Sequence, residues 1–339
     1  MPGLVFPIIW IGKISLESKF YKVSLVYIIQ IQIARPDPPT PNPEVMMIGE
    51  AGAFISAILW AIGVILYKKS GEVMHPVALN IFKNLLSLML FIPILIIMKV
   101  PFFLSLPLTE YIIFIVSGLL GIAVGDTLFF KSLNIIGAGL SAIIDCLYSP
   151  SIIIISMIWL NEHLSLIQII GVILIITGII TTSNFRYRNR NKASMELIIG
   201  IILGIAAIIV MAVSVVMMKP FLNDAPIIWI IIIRFIGALF GLFILLIINS
   251  SRREIIKQFY SSKGIVYSFS GSFIGQYLSV IFWIAGFKYA QASVASAINQ
   301  TSNIFIFIFA SIFLREPFTI KKVIALLLGI GGAYIVAFG

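Results

Sequence analysis

The residues able to do chemistry in this chain stand inside apolar runs. Gly137 to Leu164 reads GAGLSAIIDCLYSPSIIIISMIWLNEHL, long enough to cross a bilayer, yet Ser141, Asp145 and Tyr148 recur in it at i, i+4 and i+7. That spacing places them on one face of a helix. A second run, Gln291 to Phe318, carries Ser296, Gln300 and Asn303 at the same spacing, so that Asp145 corresponds to Gln300 and Tyr148 to Asn303. Asp126 lies in a third run, and Lys83 and Arg234 lie in two more. Ionisable groups in lipid are costly, so these must face protein or a wet cavity. The chemistry open to them is binding and proton exchange. An apolar surround disfavours a carboxylate's charged form and lets it exchange a proton near neutrality. Asp126 or Asp145 can equally hold a substrate amine, and Lys83 or Arg234 a substrate carboxylate. A structural role competes with each: a buried ion pair can fix helix register, and the serines read as bonds to neighbouring helices.

Around these groups stand Trp60, Gln276, Tyr277 and Trp283 as further cavity candidates, because aromatic walls suit apolar or cationic solutes. Ordinary packing or interfacial anchoring is the competing reading of the tryptophans. Pro150 removes a backbone donor and predicts a kink in its helix. Glu162 and Glu316 end corresponding runs just before the next ones start, and read as turn residues that satisfy free amides at a helix N-terminus. Gly118, Gly121 and Gly125 are spaced to let one helix approach a neighbour closely. Cys146 is the only cysteine, and His75 and His163 are the only histidines, which leaves no disulfide, no expected metal site and no expected cofactor.

The elements that position these residues follow from composition. The chain of 339 residues is 60% hydrophobic and 11% charged, with a mean hydropathy of +1.14, far from the composition of a soluble domain. The formal charge of +10 sits in short gaps such as Lys68-Lys69, Arg186 to Lys192 and Arg252 to Lys263. That is how cytoplasmic loops are marked, and no nucleic-acid partner is implied. Apolar runs near 49–67, 76–98, 110–130, 135–160, 164–182, 195–218, 226–249, 264–287, 291–314 and 320–338 predict ten spanning helices. Residues 1–46, with the proline-rich ARPDPPTPNPEV, read as a disordered tail or as an upstream mis-start with Met46 or Met47 as the true beginning.

The runs fall into two sets of five. Lys68, His75-Pro76 and Lys83 recur in order as Lys219, Ala225-Pro226 and Arg234; Lys131 with Gly139 to Ala142 recurs as Lys288 with Val294 to Ala297; and Asn161-Glu162 recurs as Arg315-Glu316. This is an internal duplication, residues 49–182 and 196–338 joined by a basic linker at 183–195. Five being odd, the second copy enters the membrane in the opposite sense. The expected fold is thus an all-α integral membrane protein, ten transmembrane helices in two inverted repeats, an architecture of transporters with a midplane site.

The segments GDTLFFKSLNIIGAGLSAII and YSPSIIIISMIWLNEHLSLIQIIGVILIITG, then GFKYAQASVASAINQ and IFIFASIFLREPFTIKKVIALLLGIGG, resemble the EamA repeat of the drug/metabolite transporter superfamily. The resemblance implies a carrier of amino acids, drugs or other metabolites, working by exchange or proton coupling without hydrolysing ATP, and no nucleotide-sugar or quaternary-amine hallmark narrows the substrate. The second copy has Asn303 near the place of Pro150, which weakens the expectation of a kink there. The expected function is a secondary-active transporter with alternating access at a central cavity in the cell membrane, as a monomer or homodimer. A lipid or lipid-linked-carrier flippase is the alternative; an intramembrane lipid-modifying enzyme would need clustered acids with a metal or histidines. No GxxxxGK[ST] is present, which argues against a built-in ATP motor. Positive loops put both ends outside, whereas the resemblance favours both inside, and the orientation stays open.

Overall fold

In a chain this apolar the peptide groups must be satisfied within the chain itself, and helices do so locally. The computed structural model describes residues 43–160, 166–183, 192–258, 262–290, 292–317 and 319–338, and among them there is no strand. Helix α1 spans Pro43–Gly71 and α2 Pro76–Ile97. Helix α3 runs Leu108–Ile136. Then come α4 (Ala138–Asp145), α5 (Tyr148–Leu160) and α6 (Leu166–Ser183). The second half holds α7 (Lys192–Met218), α8 (Ile227–Ile248) and the short α9 (Arg252–Gln258). It closes with α10 (residues 262–289), α11 (Ala292–Asn299), α12 (Thr301–Phe313) and α13 (Ile320–Phe338).

Seven stretches among the described residues are long and apolar enough to cross a membrane: Met46–Gly71, Pro76–Ile97, Leu108–Ile136, Ala138–Ser156, Met195–Phe221, Ile227–Ile248 and Gly264–Tyr289. The other three runs read from the sequence fall on α6, on α11 with α12, and on α13. Outward faces keep their large apolar side chains exposed, among them Ile167, Ile170 and Ile173 on α6 and Phe240, Phe243 and Ile247 on α8. Such surfaces call for lipid rather than water. Residues 1–42, the segment with Glu162 and His163, and Arg186 to Asn191 of the basic loop lie outside the described residues.

Helix α3 crosses α8 at two glycines. A Cβ on Gly118 would run into the Arg234 backbone carbonyl, and one on Gly237 into the Ile115 carbonyl. Further along α3, Gly121 faces Ser214 and Gly125 faces Met211, both on α7. The spacing of these glycines thus lets α3 lie close against two helices of the other half. Leu119–Asp126 of α3 and Ser272–Leu278 of α10 are wound as π-helix, which misaligns carbonyls from their usual donors. In α3 the Asn80 amide of α2 compensates, donating to Ile122 O at 2.8 Å and to Thr127 Oγ1 at 2.9 Å.

The fourth membrane run of each half is broken near its middle. In the first half the break falls at Cys146-Leu147, between α4 and α5, and Pro150 sits in the first turn of α5, where a missing N–H costs nothing. In the second half the break falls at Gln300, between α11 and α12, with no proline. There Asn303 N bonds back to Gln300 O at 3.0 Å and the Asn303 amide donates to Gln300 Oε1 at 2.7 Å. Side-chain hydrogen bonding thus accompanies a break that the absence of proline did not announce.

Helix ends are closed by side chains from elsewhere in the sequence. Lys68 donates to Asn134 O at 3.1 Å, and Lys219 donates to Ala290 O at 2.9 Å and to Phe287 O. In each half, then, the lysine ending the first helix caps the end of the third. The Glu316 carboxylate accepts from Ala138 N at 2.8 Å and Gly139 N at 3.0 Å, with Lys322 Nζ at 3.7 Å. It caps α4, in the opposite half, rather than the helix that follows it. His75 caps α2, its Nδ1 accepting from Val77 N at 3.2 Å, and Pro76 supplies the first helical residue.

Two predictions come from this packing. Gly118→Ala should destabilise the bundle by about 1–3 kcal/mol because its neighbour is backbone that cannot rotate away, whereas Gly331→Ala, with nothing within 4 Å, should change the detergent melting temperature little. His75 is held below its ordinary value of 6.5 by burial and then by Lys131, against an opposing pull from Glu254. The fold therefore favours neutral His75, a contribution complete above pH about 6.5 and lost as pH falls below it. His75→Asn, which keeps a capping acceptor, should flatten the dependence of melting temperature on pH in that window.

Candidate functional site

Polar side chains from both halves meet in a cavity of about 140 Å³. Its wall takes Trp60 from α1, Asp126 from α3, Asp145 and Tyr148 from either side of the α4–α5 break, Arg234 from α8, Gln276 and Trp283 from α10, and Gln300 from the α11–α12 break. Most residues singled out from the sequence thus come together, though they are scattered over the chain. Asn303 lies just behind the wall, fully buried, bonded to Gln300 and Asp145 and 3.6 Å from Cys146 Sγ. The two polar stripes therefore meet through Asn303.

Three candidates are placed differently. Lys83 is fully buried and does not line the cavity; its ammonium forms an ion pair with Asp126 and lies 5.2 Å from the Phe130 ring centroid. Tyr277 packs its ring 4.7 Å from Phe91 and 5.5 Å from Phe273, away from the cavity wall, because the face of α10 it occupies meets aromatic neighbours. Ser141 donates to Gly137 O within its own helix at 2.7 Å. The side chain of Ser296, like Glu162, is outside the described residues.

Arg234 is held differently from Lys83. Only 4% exposed, its Nη1 donates to Ser117 Oγ at 2.8 Å and approaches Met218 Sδ at 2.6 Å, and its Nη2 lies 3.4 Å from Ser214 Oγ. The Trp283 ring centroid is 5.7 Å from its guanidinium carbon, within cation–π range. Gly121 leaves room beside it, since a Cβ there would stand 3.6 Å from Nη2. No carboxylate among the described residues lies within 4 Å of it.

The sequence reading missed Ser56, Ser214, Ser279 and Asn299, which also line the cavity. Ser56 and Ser279 hydrogen-bond at 3.1 Å across α1 and α10. Small hydroxyls recur throughout apolar helices, so only their convergence marks them. Among the described residues no group of three or more potential metal ligands is clustered.

Residues 47–184 and 198–338 each match the EamA-like transporter family. The chain belongs to that family. It is accordingly an integral, multi-pass membrane transporter of the drug/metabolite transporter type, with a small-molecule substrate and a lipid bilayer around it. One solved structure, described only as a crystal structure of protein, superposes with a TM-score of 0.63 at 15% identity, covering 86% of this chain and 96% of its own. At that identity the likeness speaks for the fold alone. No curated protein sequence matches the chain.

In this EamA-family protein removal of the two buried cations should cost very different amounts. Lys83→Met leaves Asp126 buried without its partner and should cost about 3–5 kcal/mol, with most of it recovered in Lys83→Met/Asp126→Leu. Arg234→Met removes no ion pair. Ser117 and Ser214 keep their bonds to Phe114 O at 2.9 Å and Ser117 O at 2.8 Å, so thermal unfolding should report a far smaller change.

Proposed function

We propose that this chain is a secondary-active carrier of a small organic metabolite, an amino acid, drug or similar solute, exposing one central cavity alternately to the two sides of the cell membrane. The observation that carries the reading is the cavity itself, walled by polar and aromatic side chains from both family-matched halves inside an apolar bundle. Ten spanning helices in two inverted repeats, residues 49–182 and 196–338 with a basic linker between, supply a mechanism: the halves rock about the site. The matching roles of Lys68 and Lys219, each capping the third helix of its own half, support that architecture.

Within this reading Asp145, Tyr148, Gln300, Trp60, Gln276 and Trp283 contact the solute, while Asn303 orients Gln300 and Asp145. Asp126, at the wall, and Lys83, behind it, form a structural pair, and Asp145 is the residue that exchanges the coupling proton. The breaks at Cys146-Leu147 and Gln300 bring irregular backbone beside the solute, tolerable at this depth only against protein or a wet cavity.

Counterflow in liposomes tests the carrier. Purified protein preloaded with an amino acid and metabolite mixture should accumulate a labelled member of it with no ATP and no ion gradient, and protein that never exchanges any member is not a carrier for this class. Asp145→Asn should keep counterflow yet lose its response to an imposed pH gradient; an unchanged response would remove Asp145 from the proton path.

A further inference from the structure

At one pair of corresponding positions the two halves differ in a way that leaves a cation facing the cavity without an ion pair among the described residues. Lys83 and Arg234 occupy corresponding places in the duplicated sequence, each fifteen residues after Lys68 or Lys219. Asp126 stands five residues before Lys131, and five residues before the corresponding Lys288 stands Trp283. In the first half the cation on the second helix meets a carboxylate on the third, and both charges are neutralised. In the second half the cation meets an indole instead.

The guanidinium offers five N–H donors. Those of Arg234 find two hydroxyls and a thioether sulfur, all neutral. On the same wall the side-chain amide Nδ2 of Asn299 is buried with no hydrogen-bond partner. A ligand that completes this wall must bring negative charge and acceptors without donors of its own at that end. An ionised carboxylate does both, being acceptor-only and matched in shape to the guanidinium fork. With the Asp126 and Asp145 carboxylates on the same wall, a single guanidinium suits a singly charged carboxylate rather than a phosphate monoester of charge near −2.

Resting on the carrier reading above, we infer that Arg234 is the anchor for a carboxylate group of the transported solute, and that the rest of the solute lies toward Trp283 and Trp60. Lys83 takes no part in binding because Asp126 already occupies it. Arg234 is thus the residue that selects for organic acids over their neutral and cationic analogues.

The test measures binding to full-length protein in detergent, by thermal shift and by tryptophan fluorescence. The probes are acetate, lactate, benzoate and alanine, each beside its amide, with benzylamine as the cationic analogue of benzoate. At least one acid should bind more tightly than its amide, and benzylamine should not bind in place of benzoate. Arg234→Gln should weaken the favoured acid by roughly ten- to a hundredfold and abolish the preference over the amide. Arg234→Lys should retain part of the preference, the charge without the fork. Four pairs in which no acid exceeds its amide would overturn the inference, as would an Arg234→Gln protein that keeps the preference. If Arg234→Gln does not fold, Arg234→Lys and the wild-type acid-to-amide ratios still decide the matter. Acid binding that survives while counterflow is absent would count against the carrier and leave the anion site standing; counterflow of amides or amines in preference to acids would do the reverse.

Discussion

The buried ion pair between Lys83 and Asp126 is the constraint on which the rest of the arrangement turns. Neither group can be left alone in an apolar bundle, because an unpartnered charge there costs several kcal/mol. Their pairing fixes where α2 meets α3. That meeting brings Asn80 to the π-helical turn of α3, where its amide satisfies the carbonyl of Ile122. Once that turn is supported, Gly118, Gly121 and Gly125 present a smooth face to α7 and α8. The same stretch of α3 therefore holds a structural acid on one side and makes room for Arg234 on the other.

Duplication explains why these features recur, and divergence explains why they are not identical. The lysines that cap the third helices do the same work in both halves, since a helix C-terminus needs a donor wherever it lies. The fourth membrane runs are both broken, one ahead of a proline and one beside hydrogen-bonding amide side chains. At the second-helix cation the halves part company: a carboxylate answers Lys83, and the face of Trp283 answers Arg234. An ion pair removes two charges from the interior; a cation–π contact leaves one positive charge to be met by something else.

Four irregular helical segments gather at the cavity. Two π-helical turns and two helix breaks lie beside it, where backbone groups released from regular helices can be met by side chains or solute. The cross-half cap from Glu316 to Ala138 and Gly139 ties the start of α4 to the end of α12. Beside this charged cap the two halves also share buried apolar packing, Ala138 and Ala142 of α4 clustering with Ile306 and Ala310 of α12.

The sequence alone determined the class of molecule, the positions of most spans and the polar groups worth watching. Hydropathy is a local property, and an ionisable residue in an apolar run is conspicuous whatever surrounds it. The duplication was legible too, because short ordered signatures such as Lys68 to Lys83 and Lys219 to Arg234 survive where overall similarity does not. What the sequence did not disclose was pairing. Lys83 and Asp126 are 43 residues apart, and nothing local says that this cation forms an ion pair while Arg234 packs against an indole. Tyr277 looked like a cavity residue and faces Phe91 instead; Asn299 and Ser214 looked ordinary and line the wall; Glu316 looked like the cap of its own turn and caps a helix of the other half. Each of these depends on which helix faces align across the bundle. That alignment is set by close approach at glycines and by the need to satisfy buried charge, and only the packed tertiary structure decides it.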